Sequence, residues 1–364
     1  MSQRIKMYER NPQIRKNDFD QVGLGYTQDE MLKESKRCLQ CKNPMCLSGC
    51  PVEVNIPNFI KHLSENNPEQ AARVLKEKSN LSAVCGRVCP QESQCEKFCI
   101  LSKKGESVSI GNLERYAADI TAKNSSDYSI VVKKNGIKVA VVGSGPAGLT
   151  CGCDLLKRGY EVTVYESLHD AGGVLRYGIP EFRLPKKILD MEINNLKKLG
   201  MKIILNTLIG RTISIKKLFD SGYQAIFVAV GAGLPASLGV DGENFNHIYY
   251  SNEFLVRVNL MRSFDFPRVD TPVYNGRNVV VVGGGNTAMD SARTAIRLGA
   301  ENVKLVYRRT ENEMPARKEE QLHAKEEGVE FITLTNPVKF IGDDKRFVKA
   351  LECVKMNLGD YDSS

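Results

Sequence analysis

Apolar positions in the first 123 residues recur at helical spacing, and little there alternates as a strand does. Thr27-Gln28-Asp29-Glu30 has the form of a capping box, which predicts a helix opening there and running toward Cys38. Asn67-Pro68 joins an N-cap residue to a proline at the first helical position, and EQAARVLKEKS behind it keeps the helical period. The segment KNSSDYSIVVKKNG is polar and turn-rich at both ends, so it reads as a linker with room for one short strand. From residue 137 the pattern changes. IKVAVVGSGPAGLTCGCDLLKRGYEVTVYE reads as strand, glycine turn, helix and strand, and RNVVVVGGGNTAMDSARTAIRLGAENVKLVYRR (277–309) repeats the design. The pattern predicts an α/β chain with an N-terminal helical domain (1–123), a linker (124–136) and two Rossmann-like domains (137–272 and 273–364).

The two glycine turns carry the first chemistry. In Gly143-x-Gly145-x-x-Gly148, the first glycine permits the tight turn. The second lets a pyrophosphate approach the backbone, and the third lets helix and strand pack closely. Strand before, helix after and Glu166 at the end of the next strand raise this above a bare motif. Glu166 is placed to accept hydrogen bonds from a ribose diol. The second turn is Gly283-x-Gly285-x-x-Ala288, with Asn286 and Thr287 opening its helix. Its second strand runs into Arg308 and Arg309 where the first runs into Glu166. Guanidinium groups there pair with a ribose 2′-phosphate, so this site is expected to prefer NADPH over NADH. Two dinucleotide sites in one chain point to a flavoprotein reductase, FAD on the first turn and the nicotinamide donor on the second.

Composition narrows the alternatives. The chain has 364 residues, 42% of them hydrophobic and 26% charged, and no run approaches the ~18 apolar residues of a membrane span. The N-terminus lacks the apolar stretch of a signal peptide, so the expected compartment is the cytoplasm. A net charge of +8 suits an ordinary basic surface, an anionic dinucleotide or an acidic partner, and no like-charge block points to nucleic acid. No Ser/His/Asp or Cys/His arrangement stands out. His169 reads as a loop residue, and Cys151 and Cys153 read as packing thiols on the helix of the first turn.

Eight of the 11 cysteines fall between residues 38 and 99. One run is Cys38, Cys41, Cys46, Cys50 with Pro51 after it; the other is Cys85, Cys89, Cys95, Cys99, with Pro90 after the second. A reducing compartment argues against disulfides. Zinc knuckles use pairs of cysteines separated by a longer span. Dense runs with Cys-Pro suit iron–sulfur clusters, and a flavin that releases electrons singly gives such clusters a use.

With both cysteine runs, GSGPAG, GGVLRYGIPEFRLPK and GGGNTAMD in order, the chain resembles the small (beta) subunit of NADPH-dependent glutamate synthase. Related families are the large subunit of ferredoxin:NADP oxidoreductase, the alpha subunit of sulfide dehydrogenase and the N-terminal part of dihydropyrimidine dehydrogenase. The resemblance implies two Rossmann-like domains of the flavoprotein disulfide reductase type and two [4Fe–4S] clusters with interleaved ligands. One cluster would use Cys38, Cys41, Cys46 and Cys99. The other would use Cys50, Cys89, Cys95 and Glu114 of SIGNLERY, or Cys85 in an all-cysteine scheme. It places residues 172–186 along FAD, with Gly173, Leu175 and Arg176 as contacts; a salt bridge is the alternative role for the arginine. It implies electron transfer between NADPH, FAD and the clusters to a partner subunit, a ferredoxin or a ferredoxin-reductase-type subunit, in a hetero- or homo-oligomer. Against the family pattern the second Rossmann-like domain is incomplete and the C-terminus short, which leads us to expect a fragment, a truncated frame or half of a split protein. Transhydrogenase or sulfide-oxidising chemistry and a non-catalytic cluster-binding redox sensor are the competing expectations.

Overall fold

In the computed structural model, residues 3–123 and 132–359 are described. Part of the expected linker, with most of its short strand, lies outside the described residues, as do the last five positions. Contacts divide the chain into two compact units. One comprises Met1–Arg10, Gln21–Arg176 and Glu181–Gly231; the other comprises Asn11–Asp20, Tyr177–Pro180 and Ala232–Ser364.

The first unit opens with the helices the sequence predicts. Gln28–Ser35 starts on a complete capping box between Thr27 and Glu30. Pro68–Lys76 starts with Asn67 as its cap and proline in its first turn. With Ile56–Ser64 and Ile110–Lys123 they enclose a core of Met31, Phe59, Ile60, Leu63, Leu75 and Leu113. Each such side chain, fully buried, contributes about 1.5–3 kcal/mol. Cys38, Cys46, Cys50 and Cys99 pack against this core. The same unit holds a parallel sheet, β1 (Lys138–Val142), β2 (Glu161–Tyr165), β3 (Lys202–Ile204) and β4 (Tyr223–Val228), in the order β3-β2-β1-β4. The helix Pro146–Lys157 joins β1 to β2, as a parallel pair requires.

The second unit has a parallel sheet of β5 (Asn278–Val282), β6 (Asn302–Val306) and β7 (Glu330–Ile332), in that order. An antiparallel pair follows, β8 (Thr335–Gly342) with β9 (Val348–Lys355). Residues 232–272, expected with the first Rossmann-like domain, group here instead. Asp241 bridges to Lys339 on β8 and Asn246 to Phe347 beside β9, so backbone pairing ties this stretch to the second unit.

Beneath the helix Asn286–Arg297 lies a buried ion cluster. Glu327, 1% exposed, accepts from Arg293 Nε and Nη2 at 2.9 and 2.8 Å and from Arg297 Nη1 at 2.6 Å. Arg15, from the segment 11–20, also donates to it at 2.9 Å. Arg293 pairs in addition with Glu320, and Arg15 with Glu326. Burial alone would raise the Glu327 carboxyl; the arginines outweigh that and hold it well below the usual carboxylate range. No helix among the described residues is long and apolar enough to cross a membrane.

Candidate functional site

The first glycine turn is shaped by steric exclusion. Gly143 has φ +104°, and a Cβ there would lie 2.3 Å from Ala229 O. A Cβ on Gly148 would lie 2.0 Å from Gly143 O, so helix and turn touch backbone to backbone. Gly145 faces open space and forms the N-cap of Pro146–Lys157 without a side-chain cap. Its amides thus fit a pyrophosphate, which helix N-termini bind through free N–H groups. A second strand of chain lies over the turn: Gly173, at φ +53°, would place a Cβ 2.7 Å from Gly145 Cα.

Ser144, unremarked in the sequence, holds this crossing together. Its hydroxyl accepts from Gly172 N at 2.9 Å and donates to Glu166. Glu166 is buried, and both its oxygens are engaged. Oε2 takes Ser144 N at 3.0 Å as well as the hydroxyl, and Oε1 takes Leu168 N at 2.9 Å and Ser167 Oγ at 3.2 Å. A ribose diol reaches this carboxylate only by displacing the two serine hydroxyls, which can rotate away. Arg176 is buried and fully committed. Its Nε donates to Ala171 O at 2.7 Å, and it pairs with Asp190 and, at 3.2 Å, with Asp170. The guanidinium braces the crossing segment, in keeping with the salt-bridge alternative, while Leu175 is buried beside it. Cys153 is buried and His169 exposed, as their sequence readings anticipated.

The second turn repeats the geometry with other supports. Gly283 has φ +139°, and Gly285 faces open space as the uncapped N-cap of Asn286–Arg297. The ring of Tyr307 backs Gly284, where a Cβ would lie 2.6 Å from it. Asn286 Oδ1 accepts from Arg317 N at 3.0 Å, which pins the segment after Thr310 to the turn. Thr287, Arg308 and Arg309 are exposed. The arrangement fits a dinucleotide with cationic groups at the ribose end.

The cysteines gather in two groups. Burial, then the Cys41 and Cys99 thiols, push Cys38 up. Burial, then Cys38, Cys99 and Cys41, push Cys46 up to about 11. Cys41 and Cys99 thus both act on Cys38 and Cys46, although Cys99 lies far along the chain. In the second group, burial, Glu96, Glu114 and Cys50 raise Cys95. A hydrogen bond with Cys89, followed by burial, raises Cys85. Burial and then Cys85 raise the partly buried Glu114. Crowded thiols that resist ionisation fit a polynuclear iron centre, whose cationic charge stabilises thiolates. All 11 cysteines are free of disulfides.

Residues 15–126 match the family described as dihydropyrimidine dehydrogenase domain II, 4Fe-4S cluster, and residues 137–363 match pyridine nucleotide-disulphide oxidoreductase. The glutamate synthase [NADPH] small chain of Halomonas elongata is 36% identical over 360 residues, which are 98% of this chain and 75% of that one. The Escherichia coli K12 small chain is 35% identical over 366 residues, covering 99% and 77%. Among solved structures, Mycobacterium tuberculosis FprA in complex with NADPH has a TM-score of 0.52 at 19% identity, over 62% of this chain and 65% of that one. That likeness is one of fold alone. The chain belongs to the glutamate synthase small-chain family, as an NADPH-dependent iron–sulfur flavoprotein oxidoreductase whose cofactors are 4Fe–4S, FAD and NADPH.

Proposed function

We propose that the chain is the electron-input subunit of a larger enzyme, taking reducing equivalents from NADPH and delivering them to a partner through two [4Fe–4S] clusters. In this reading Cys38, Cys41, Cys46 and Cys99 hold one cluster. Cys50, Cys89, Cys95 and Glu114 hold the other, with Cys85 beside it. FAD lies on Gly143, Gly145, Gly148 and Gly173, with Leu175 alongside and Glu166 toward its ribose. NADPH lies on Gly283, Gly285, Asn286 and Thr287, with Arg308 and Arg309 toward its 2′-phosphate. The domain scheme keeps the helical cluster domain at 1–123 and moves 232–272 to the NADPH side. Bound nicotinamide and flavin supply hydride transfer, and bound clusters supply one-electron conduction. The chain's own residues orient these groups and keep them apart.

What supports this reading is that Cys41 and Cys99 act on Cys38 and Cys46, whereas Cys50 acts on Cys95. Relatives named as small chains support a partner subunit, and the large chain of a cytoplasmic glutamate synthase is the one we favour. The test is anaerobic purification, iron counting and a visible spectrum before and after NADPH. The reading expects about eight irons, one FAD and bleaching of both chromophores. A colourless zinc protein overturns it. Cys46→Ser and Cys50→Ser should each remove a different paramagnetic signal. Glu114→Ala should remove the same signal as Cys50→Ser, while Cys85→Ser should leave it.

A further inference from the structure

The second cysteine group is tied to the flavin turn by side chains that none of the chemistry above employs. The helix Ser82–Val88 carries Cys85, and Cys89 is its C-cap. Its N-cap, Leu81, offers no side-chain acceptor. Instead Glu192, 109 residues away on the helix Lys186–Lys198, accepts from Ala83 N at 2.9 Å. Glu192 is buried, and burial pushes its carboxyl up. Two residues earlier on the same helix, Asp190 holds Arg176, which holds Ala171 O in the segment crossing the flavin turn. One rigid helix thus grips the cysteine helix with one side chain and the flavin crossing with another.

A second tie runs alongside. Asn80, just ahead of the cysteine helix, donates to Asp154 Oδ1 at 2.7 Å and accepts from Lys157 Nζ at 2.6 Å. Both partners belong to Pro146–Lys157, the helix that begins at Gly145. On the opposite side Gly86 would place a Cβ 2.6 Å from Arg115 N, next to Glu114, so the cysteine helix has no room to shift. All of these residues lie in the first unit.

We infer that Glu192, seconded by Asn80, is a positioning residue for electron transfer: its bond to Ala83 fixes the spacing between the Cys85–Cys89 helix and the FAD turn. This rests on the reading that FAD and a cluster occupy those places. One electron then passes from reduced flavin to one oxidised cluster with no bond made or broken, and its rate is set by separation.

The test uses anaerobically prepared full-length protein, wild type against Glu192→Ala, Glu192→Gln and Asn80→Ala. In single-turnover mixing with NADPH, Glu192→Ala should slow flavin-to-cluster transfer about tenfold, because small misplacements of reacting groups are costly. Flavin reduction itself should stay within about twofold. Glu192→Gln should restore transfer, since an amide oxygen can accept the same bond. Asn80→Ala should slow the same step and serves if Glu192→Ala fails to fold. Backbone hydrogen exchange at residues 82–89 gives a readout independent of cofactors: it should quicken in Glu192→Ala and return to normal in Glu192→Gln. A wild-type transfer rate in both alanine variants overturns the inference, as does a glutamine variant as slow as alanine, which would make the charge and not the bond decisive. Wild-type protein without clusters sinks the proposed function instead, and the exchange measurement still decides the role of Glu192.

Discussion

The two glycine turns open their helices on the same uncapped glycine N-cap but stand on different foundations. The first rests on excluded side chains. Gly148 meets Gly143 O, and Gly152 one turn later would place a Cβ 2.8 Å from Met201, so the helix lies against strand and loop by having nothing in between. The second has Ala288 where the first has Gly148, and its helix turns Arg293 and Arg297 inward onto Glu327 and Glu320. Close approach of backbone secures one turn and a desolvated ion cluster secures the other. The first arrangement fails when volume is added. The second fails when one charge is removed, because the remaining ions cannot be rehydrated where they are.

Removing Glu327 should therefore have the largest effect. Glu327→Ala leaves three buried guanidinium groups without their shared anion, and loss of one partner of a buried pair costs about 3–5 kcal/mol. Denaturant unfolding should show that loss in the second unit while FAD content is kept. The acid limb sharpens the point. The folded carboxyl titrates below its unfolded value, so its contribution is complete above the unfolded value and fades as pH falls toward the folded one. Wild type and Glu327→Gln should differ most near neutrality and converge in strong acid. A loss below about 1 kcal/mol would place this cluster among the many ion pairs that contribute little.

The converse experiment adds one carbon to each turn's weak point. Gly148→Ala puts a methyl group into Gly143 O and should cost about 1–3 kcal/mol by overpacking, with FAD lost from the purified protein. Ala288→Gly at the matching place should cost about 1 kcal/mol through helix propensity alone and keep nucleotide binding. Equal effects at the two positions would mean that both turns rest on the same kind of support.

What the sequence disclosed follows the same division. The α/β class, the helical N-terminal region, the Thr27–Glu30 capping box and both glycine turns were legible, because each depends on residues a few positions apart. Supports that act across the chain were not. Nothing around Arg15 announces a partner 312 residues away, and Arg293 reads as the polar face of an amphipathic helix although it is 0% exposed. Glu192 likewise looks like an ordinary surface acid, and Ser144 like filler between glycines. The grouping of Cys99 with Cys38 is an expectation of the family resemblance and not of spacing. The stretch 232–272 reads as part of the first Rossmann-like domain, yet its backbone bridges run to Lys339 on β8 and Phe347 beside β9, because a chain can leave one sheet and pair with another without changing its local pattern.

A smaller effect tests the difference just after β2 and β6. Glu166 is buried under four donors, whereas Arg308 and Arg309 are exposed. Replacing both arginines with serine should lower kcat/KM for NADPH about 10- to 100-fold, the worth of one or two charge-assisted bonds, and leave NADH nearly unchanged. An equal loss for both nucleotides would mean that the arginines support the strand end and do not read the 2′-phosphate.

The smallest effect returns to the first unit, at the half-buried Lys76. Burial pushes its ammonium down to about 8; Glu192 opposes that shift and Lys157 adds to it. The unfolded chain, whose lysines titrate near ~10.4, then holds more protons than the folded one across that window. Stability should rise with pH from about 8 to about 10.4 as the buried charge is relieved in the folded state first. Lys76→Met should flatten that rise, by less than about 1 kcal/mol once solvent screening is allowed for. Midpoints of denaturant unfolding at several pH values would measure it. The matching experiment on the second unit has the opposite sign: there the charged state is the stable one, and the variant without the charge, Glu327→Gln, is the weaker protein at neutral pH. If Lys76→Met were also weaker at every pH, the first unit would depend on a buried charge too, and the contrast between the two foundations would be one of degree.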